Sequence, residues 1–289
     1  MSATGARLVG VFAASHSPGL TGFPDRASEA QLASTRQGFA ELRHRIVCAD
    51  PQVLVVVTVD HFTNFSLANL PTFAIGSAER FLGPGTSEMS RFLGIAQRHY
   101  AGSPGLGEYL YAYALEHDFD PALVAGDMAF DENVCVPLAV LDLDDLPVVP
   151  VIVNAVNHPG PTPRRCVAFG RMLAEGIRAQ SDVDRVAVLA TGGLSHWVGM
   201  RESGRVNEAF DRDFLDRLAS GQEARLAGYT QGEIDAAGNG ADEIRAWLVA
   251  AGAAGTGFDT LAYEPVAAWL TGTAVAAARL GISEPKEQA

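Results

Sequence analysis

The sequence has 289 residues and a formal net charge of −13, from 21 basic and 34 acidic side chains. Hydrophobic residues make up 48% of the chain and charged residues 19%, a composition that excludes intrinsic disorder and predicts a buried globular core. The acidic balance, with no run rich in Lys or Arg, disfavours nucleic acid and anionic membrane as partners. An anionic small substrate is not excluded, because a local arginine can outweigh the global field.

The cysteines and the apolar runs bear on the cellular compartment. The three cysteines, Cys48, Cys135 and Cys166, form no CxxC pair, and their odd number favours a reduced compartment over a disulfide framework. No apolar run reaches the roughly 18 residues that span a bilayer. Residues 1–16 lack the pattern of a secretion signal. We therefore expect a soluble, cytoplasmic protein.

Strand and helix patterns alternate along the chain. Continuous apolar or β-branched runs predict buried strands, and apolar residues at helical spacing predict helices. In chain order, the predicted elements are a strand at 8–14, a helix at 31–47, a strand at 53–59, helices at 90–100 and 107–117, a strand at 148–153, a helix at 164–180, a strand at 185–190, and helices at 207–218, 241–251 and 265–279. This alternation predicts an α/β fold, a single domain over 1–289 with a mixed, largely parallel central sheet flanked by helices.

Three of the predicted strands are followed by a histidine: His16, His61 and His196. Ligands of open α/β sheets bind beyond the carboxyl ends of the strands, so these histidines have the placement to converge on one crevice. Any one of them alone is more often a capped, hydrogen-bonded imidazole than a ligand. Two imidazoles and one carboxylate on an octahedral metal leave three positions open, which suits non-haem Fe(II) and O2 chemistry.

Five short segments occur in an order and spacing shared with a known enzyme family. They are SHSPG (15–19), VDHF (59–62), PTFAIG (71–76), ATGGLSHW (190–197) and DEIRAW (242–247). They resemble class III extradiol ring-cleavage dioxygenases, specifically the catalytic (B-type) subunit of the 2,3-dihydroxyphenylpropionate/catechol branch. The resemblance runs from about residue 8 to about residue 270. It implies Fe(II)-dependent extradiol (meta) cleavage of a catechol-type substrate with O2, giving a ring-opened semialdehyde-type acid.

The resemblance also implies roles for individual side chains. His16, His61 and Glu243 match the family's ligands to Fe(II), and His196 matches a histidine that helps deprotonate the catechol or bonds its oxygen. Without the resemblance, Glu243 would be interpreted as an acid in the first turn of a helix, interacting with the helix dipole. Asp60 is expected to orient a ligand or to bond a loop amide. Homo-oligomerisation and, as in some relatives, a small companion subunit are implied in the same way.

One segment, AFDENVCVP (129–137), departs from the family pattern. Members of this branch carry Asp-His-Gly a few residues before a proline, and that histidine acts as an acid–base group. Here Glu132 stands at the position of the histidine and Asn133 at that of the glycine. Four interpretations are open: Glu132 takes over proton transfer, it recognises a cationic or hydroxylated substituent of the substrate, the same metal supports a different reaction, or the segment is misaligned and Glu132 is an ordinary loop acid.

Two functions of other classes use the same residues. A divalent-metal hydrolase or lyase would employ His16, His61 and Glu243 with Glu132 as the general base on a metal-bound water. A degenerate metal-binding partner subunit would bind metal without catalysis, but the presence of all three proposed ligands argues against it. Metal analysis combined with oxygen uptake separates these hypotheses from the dioxygenase.

Overall fold

The computed structural model describes residues 5–280, which form a central sheet covered by helices on both faces. The strands are β1 (Arg7–Ala14), β2 (Val53–Thr58), β3 (Phe73–Gly76), β4 (Arg80–Gly83), β5 (Arg98–Ala101), β6 (Ala122–Val124), β7 (Val148–Val153), β8 (Arg185–Thr191), β9 (Phe258–Val266) and β10 (Thr271–Ala278). Eight of them form one sheet in the order β6-β3-β7-β2-β8-β1-β10-β9, and β4 and β5 form a separate two-stranded antiparallel sheet.

The helices occupy both sides of this sheet. They are α1 (Gly19–Gly22), α2 (Glu29–Ala49), α3 (Ser87–Leu93), α4 (Pro104–Glu116), α5 (Glu132–Leu141), α6 (Pro163–Ala179), α7 (Glu208–Ser220), α8 (Glu223–Ala227), α9 (Gln231–Asp235) and α10 (Ile244–Ala254). Alternate residues of β2 enter different cores: Val55 belongs to the core that includes residues of α4, α6 and α10, and Val56 to the core that includes residues of α2 and α5. The predicted α/β architecture with a mixed, largely parallel sheet is therefore confirmed.

Three adjacent parallel strands, β2, β8 and β1, carry the predicted histidines. Val188 of β8 pairs with Val55 on one side and with Val11 on the other. All three strands are buried along most of their length, which explains their continuous apolar sequences. Because neighbouring parallel strands end at the same edge, residues that follow them emerge side by side.

The predicted helix at 265–279 is wrong. β9 extends to Val266, a 3-10 turn follows at Ala267–Trp269, and β10 then pairs antiparallel with both β1 and β9. The alanines of β10 have high helix propensity, but small side chains let α2 approach the sheet closely. A Cβ on Gly38 of α2 would lie 2.4 Å from the Cβ of Ala262 in β9. Tertiary packing has overridden local propensity here.

The predicted helix at 90–100 is correct only in its first part. α3 ends at Leu93, because Gly94 adopts a left-handed conformation with φ of 66°, and β5 follows. Helix α5 and the short strands β3, β4 and β6 were not among the predicted elements. The outer parts of the predicted domain, 1–4 and 281–289, lie outside the described residues. Within 5–280, no helix has the length and apolarity required to cross a membrane, and the three cysteines are free.

Candidate active site

Three predicted site residues meet at the carboxyl edge of the central strands. His16 follows β1, His61 follows β2, and Glu243 ends the 3-10 turn that leads into α10. One ligand atom from each residue lies within 4.8 Å of the other two. Glu243 Oε2 lies 3.2 Å from His16 Nε2, and Glu243 Oε1 lies 3.3 Å from His61 Nε2. The chain therefore brings two imidazoles and one carboxylate to a single point.

Asp131 fixes the tautomer of the neutral His61 ring, whose Nε2 faces Glu243. Its Nδ1 lies 3.2 Å from Asp131 Oδ1. Burial alone would raise the pKa of Asp131, but the charge of His61 and several hydrogen bonds outweigh burial and lower that pKa. The ionised carboxylate only accepts, so His61 Nδ1 carries the hydrogen and Nε2 presents its lone pair in the neutral ring.

His16 is oriented by a buried threonine. His16 Nδ1 lies 3.4 Å from Thr191 Oγ1, and Thr191 Oγ1 lies 2.6 Å from Thr58 Oγ1 and 2.7 Å from the carbonyl oxygen of Asn133. A carbonyl only accepts, so the Thr191 hydroxyl hydrogen points to Asn133 and its lone pair faces His16. The Nε2 of His16 is then the atom presented to Glu243. Both imidazoles thus fit metal ligation through Nε2.

Glu243 is a buried acid that contacts three histidines. Besides His16 and His61, His196 Nε2 lies 3.5 Å from its Oε1, and the amide of Gly193 donates to its Oε2 at 2.6 Å. Burial opposes ionisation, yet the charges of His16 and His196 outweigh it and hold the pKa of Glu243 well below its usual range. An ionised, buried carboxylate surrounded by imidazoles is suited to a divalent cation.

The pKa of His61 is shifted in the opposite direction to that of Glu243. Burial alone would lower the pKa of His61, but the charge of Asp131 and its hydrogen bonds to Asp131 and Glu243 raise that pKa well above its usual value. A metal-ligating histidine must be neutral, so a cation bound here displaces a proton from His61.

His196 is fixed by its own loop and by two glycines. Its Nδ1 lies 2.9 Å from the carbonyl oxygen of Leu194, so in the neutral ring Nδ1 carries the hydrogen and Nε2 the lone pair. A Cβ on Gly240 would lie 2.1 Å from His196 Nε2, and a Cβ on Gly193 would lie 3.0 Å from His196 Cε1. These glycines leave room for the ring beside Glu243.

Glu132 lies at the start of α5, next to Asp131, whose side chain caps that helix. Its Oε1 lies 3.6 Å from His61 Nδ1, and its Oε2 is buried without a hydrogen-bond partner among residues 5–280. Burial raises the pKa of Glu132, against the charge of His61, which lowers it. The chain therefore places a carboxyl group with a raised pKa at the edge of the predicted metal site.

Several residues that support the site were not among the predicted ones. Asp131, Thr191 and Asn133 each act through a partner distant in sequence. Asp131 had a local signal, because an Asp before an acidic and then apolar run is a helix N-cap pattern. Thr191 had none beyond its place at the end of β8.

Asp60 shapes the loop that follows His61. Its carboxylate accepts hydrogen bonds from the backbone amides of Asn64 and Phe65, at 3.1 Å from each nearest oxygen. This bonding matches the second of the two expectations for Asp60. Of the aromatic residues near the site, Phe62 is half exposed, whereas Phe130 is buried against Phe81 and belongs to the core.

Asp242 and Arg245 hold the turn that carries Glu243. Arg245 is buried, and its guanidinium donates to Asp242, to Gln231 and to the carbonyl oxygen of Pro161. His158 Nε2 lies 2.9 Å from the other oxygen of Asp242. These contacts fix the residue immediately before Glu243.

Comparisons with known proteins identify the family. A family model described as the catalytic LigB subunit of aromatic ring-opening dioxygenase matches residues 10–275. The chain belongs to this family. The predicted resemblance to the catalytic subunit of ring-cleavage dioxygenases is confirmed, and the protein is an enzyme of the ring-opening dioxygenase class.

Two curated relatives of this LigB-family chain carry the name 2,3-dihydroxyphenylpropionate/2,3-dihydroxicinnamic acid 1,2-dioxygenase. The protein from Mycolicibacterium gilvum is 31% identical over 283 residues, which cover 82% of this chain and 85% of the relative. The protein from Photorhabdus laumondii is 26% identical over 317 residues, which cover 92% of this chain and 95% of the relative.

A solved structure shares the LigB-family fold described above. It is the crystal structure of uncharacterized protein JW3007 from Escherichia coli K12, with a TM-score of 0.56 at 15% sequence identity. The match covers 83% of this chain and 91% of that chain. At this identity the likeness concerns the fold alone.

Proposed function

We propose that this enzyme is a non-haem Fe(II)-dependent extradiol dioxygenase that opens the ring of a catechol-type substrate with O2. The observation that carries the proposal is the convergence of His16, His61 and Glu243 beside His196 at the carboxyl edge of three parallel strands. The names of the relatives, which describe dihydroxyphenyl substrates, support the same substrate class.

The ligand set fits Fe(II). Two imidazole nitrogens and one carboxylate are the donors of the non-haem iron sites that use O2, and they leave positions open for other ligands. Glu243 is ionised and buried, and both histidines present Nε2 to it. Fe(II), when bound, supplies electron transfer between the aromatic diol and O2.

His196 is proposed to receive a proton from a substrate hydroxyl. Its Nδ1 is committed to the carbonyl oxygen of Leu194, so Nε2 is the atom that accepts. Burial lowers the pKa of His196, but the charge of Glu243 outweighs burial and raises it. A cation at Glu243 would oppose this rise and would favour the neutral ring, whose Nε2 can accept a proton.

Glu132 is proposed to handle a second proton, in the place of the family's acid–base histidine. Burial favours its protonated form, and its Oε2 has no partner among the described residues. The same unpartnered oxygen also fits a hydrogen-bond donor on the substrate. Family membership favours ring opening over the hydrolase or lyase alternative, in which Glu132 would activate water.

The decisive experiment is anaerobic reconstitution of the purified protein with Fe(II), with Zn(II) or with no metal, followed by a panel of catechols. The panel should include catechol, 2,3-dihydroxyphenylpropionate and a catechol with an amino substituent. We expect O2 uptake and a ring-opened chromophore only with iron. Absence of O2 uptake across the panel in a fully iron-loaded sample would overturn the proposal.

A further inference from the structure

Asp211, in the first turn of α7, is a buried carboxylate that forms no salt bridge within residues 5–280. It is 0% exposed. The nearby arginines of α7 pair with other acids: Arg212 with Glu208, and Arg217 with Asp213. Burying an unpaired charge costs free energy. The groups that donate hydrogen bonds to Asp211 therefore indicate which part of the structure this carboxylate holds in place.

All of its close donors are neutral, and two belong to Ser195, the residue before His196. The Ser195 amide donates to Asp211 Oδ1 at 2.8 Å, and the Ser195 hydroxyl donates to Asp211 Oδ2 at 3.0 Å. The Tyr263 hydroxyl of β9 donates to Oδ2 at 2.9 Å. One carboxylate therefore joins a helix, an edge strand and the loop that carries His196.

The same loop is clamped from the other side by β10. The Gly272 amide donates to the carbonyl oxygen of Ser195 at 3.2 Å, and the Leu194 amide donates to the carbonyl oxygen of Gly272 at 3.1 Å. The carbonyl of Leu194 in turn accepts from the His196 ring at 2.9 Å. The orientation of the His196 ring therefore depends on the position of Leu194 and Ser195.

Gly272 of β10 leaves the space that the Asp211 carboxylate occupies. A Cβ at position 272 would lie 2.0 Å from Asp211 Oδ2, so only glycine leaves the carboxylate in place. The next nearest atom outside Asp211, on the Tyr263 ring, would lie 3.4 Å away, which is ordinary contact. The space beside β10 is thus reserved for this one carboxylate.

We propose that Asp211 is a positioning residue for His196: its carboxylate fixes the Gly192–His196 loop through Ser195 and thereby holds the imidazole at the reacting centre. This inference rests on the proposed function, in which His196 accepts a proton from the substrate. Asp211 itself touches neither substrate nor metal ligands, and it acts through the loop.

The number of donors explains why this position holds Asp rather than Asn. The two oxygens accept one amide and two hydroxyl hydrogens, whereas Ser195 Oγ already accepts from the amide of Asn207 at 2.7 Å. An asparagine would place its side-chain amino group where Oδ2 of Asp211 accepts from the hydroxyls of Ser195 and Tyr263. The Ser195 hydroxyl hydrogen would then lose its acceptor. Asn at 211 therefore keeps the bond to the Ser195 amide and loses part of the rest.

The test compares D211N, D211A, G272A and the double variant D211A/G272A, with D213N as the matched control. Asp213 lies on the same helix and is bonded by Tyr229 and Arg217, with no contact to the loop. Three quantities are measured: hydrogen exchange of the peptide over 192–197 in the metal-free protein, iron content, and steady-state kcat and KM. Anaerobic binding of 4-nitrocatechol adds a direct readout, because its visible spectrum reports its loss of protons.

D211A is expected to speed exchange over 192–197 and to lower kcat by about 30- to 100-fold, with KM changed less than about threefold and iron content unchanged. Bound 4-nitrocatechol should then keep more of its protons than it does in the wild type. D211N should retain slow exchange and lose only about 3- to 10-fold in kcat. D213N should match the wild type throughout.

The double variant separates positioning from general damage. G272A should lower kcat in the wild-type background but not in D211A, because the clashing carboxylate is gone there. Wild-type exchange over 192–197 in D211A, or additive effects of D211A and G272A, would overturn the proposal. If the wild-type enzyme cleaves no catechol, the proposed function fails, while the exchange data still judge whether Asp211 anchors the loop.

Discussion

At the residue scale, His61 lies among the carboxyl groups of Asp131, Glu132 and Glu243. We predict that His61→Ala lowers iron affinity by at least about 100-fold, because His16 and Glu243 alone leave the ion with two protein ligands. Iron per protein after desalting, measured by elemental analysis, checks this. His99→Ala, at an exposed histidine of β5, serves as control and should keep its iron. Normal iron content in His61→Ala would remove His61 from the site.

Glu132 should give a different signature if it moves a proton and does not bind the metal. We predict that Glu132→Gln lowers kcat by at least about 10-fold while the iron dissociation constant changes less than about twofold. The glutamine keeps the size of the side chain and removes the titrating group. Asp127→Asn, at an exposed acid upstream of the same segment, is the control. Loss of iron in Glu132→Gln would instead make Glu132 a ligand.

The sequence predicts the proposed ligands better than it predicts their supports. His16, His61 and His196 each follow a recognisable buried strand, so strand adjacency alone brings them together. Glu243 needed the resemblance, because an acid in a first helical turn has an ordinary local explanation. Asp211 and Thr191 were not predicted, since their partners lie on other elements and no local sequence pattern indicates such contacts.

At the element scale, the same limit explains which parts of the fold were predictable. Strands β2, β7 and β8 are buried on both faces, and their runs of β-branched residues admit one interpretation. β10 is equally buried, but it is rich in alanine, which has the highest helix propensity of all residues. Its strand conformation follows from the edge of β1 that it covers, which is a fact about tertiary structure.

Helices α6 and α10 pack at very short range, and α10 begins next to Glu243. A Cβ on Gly252 of α10 would lie 2.0 Å from the carbonyl oxygen of Val167 in α6. We predict that Gly252→Ala destabilises the protein by about 1–3 kcal/mol, because the backbones must separate and the gain in helix propensity is smaller. Urea denaturation measures the change.

Gly232 of α9 provides the matched control for this glycine. A Cβ there would meet no atom within 4 Å, so Gly232→Ala should leave stability unchanged or raise it by up to about 1 kcal/mol. Equal effects of the two substitutions would show that helix propensity, and not the contact between α6 and α10, governs both positions.

At the scale of the whole molecule, the site is assembled from segments spread over most of the chain, from His16 to Glu243. The loops that hold it therefore share in the stability of the entire fold, and a single buried group can make that stability depend on pH. Asp211 is such a group, since burial raises its pKa from the ordinary 3.8 to about 6.

The sign of the effect follows from where the proton is held more tightly. With a raised pKa in the folded state, Asp211 gives a contribution to stability that is fully present below about pH 3.8 and is lost as the pH rises through about 6. We predict that the free energy of unfolding of the wild type, relative to D211N, falls by about 2 kcal/mol between about pH 4 and about pH 8. Urea denaturation of both proteins across this range measures it.

Other titrating groups, including His61 and Glu243, are common to both proteins and cancel in the difference. Parallel curves would show that Asp211 has the same pKa in the folded and unfolded chains, and would remove the contribution of its burial to the pH dependence of stability.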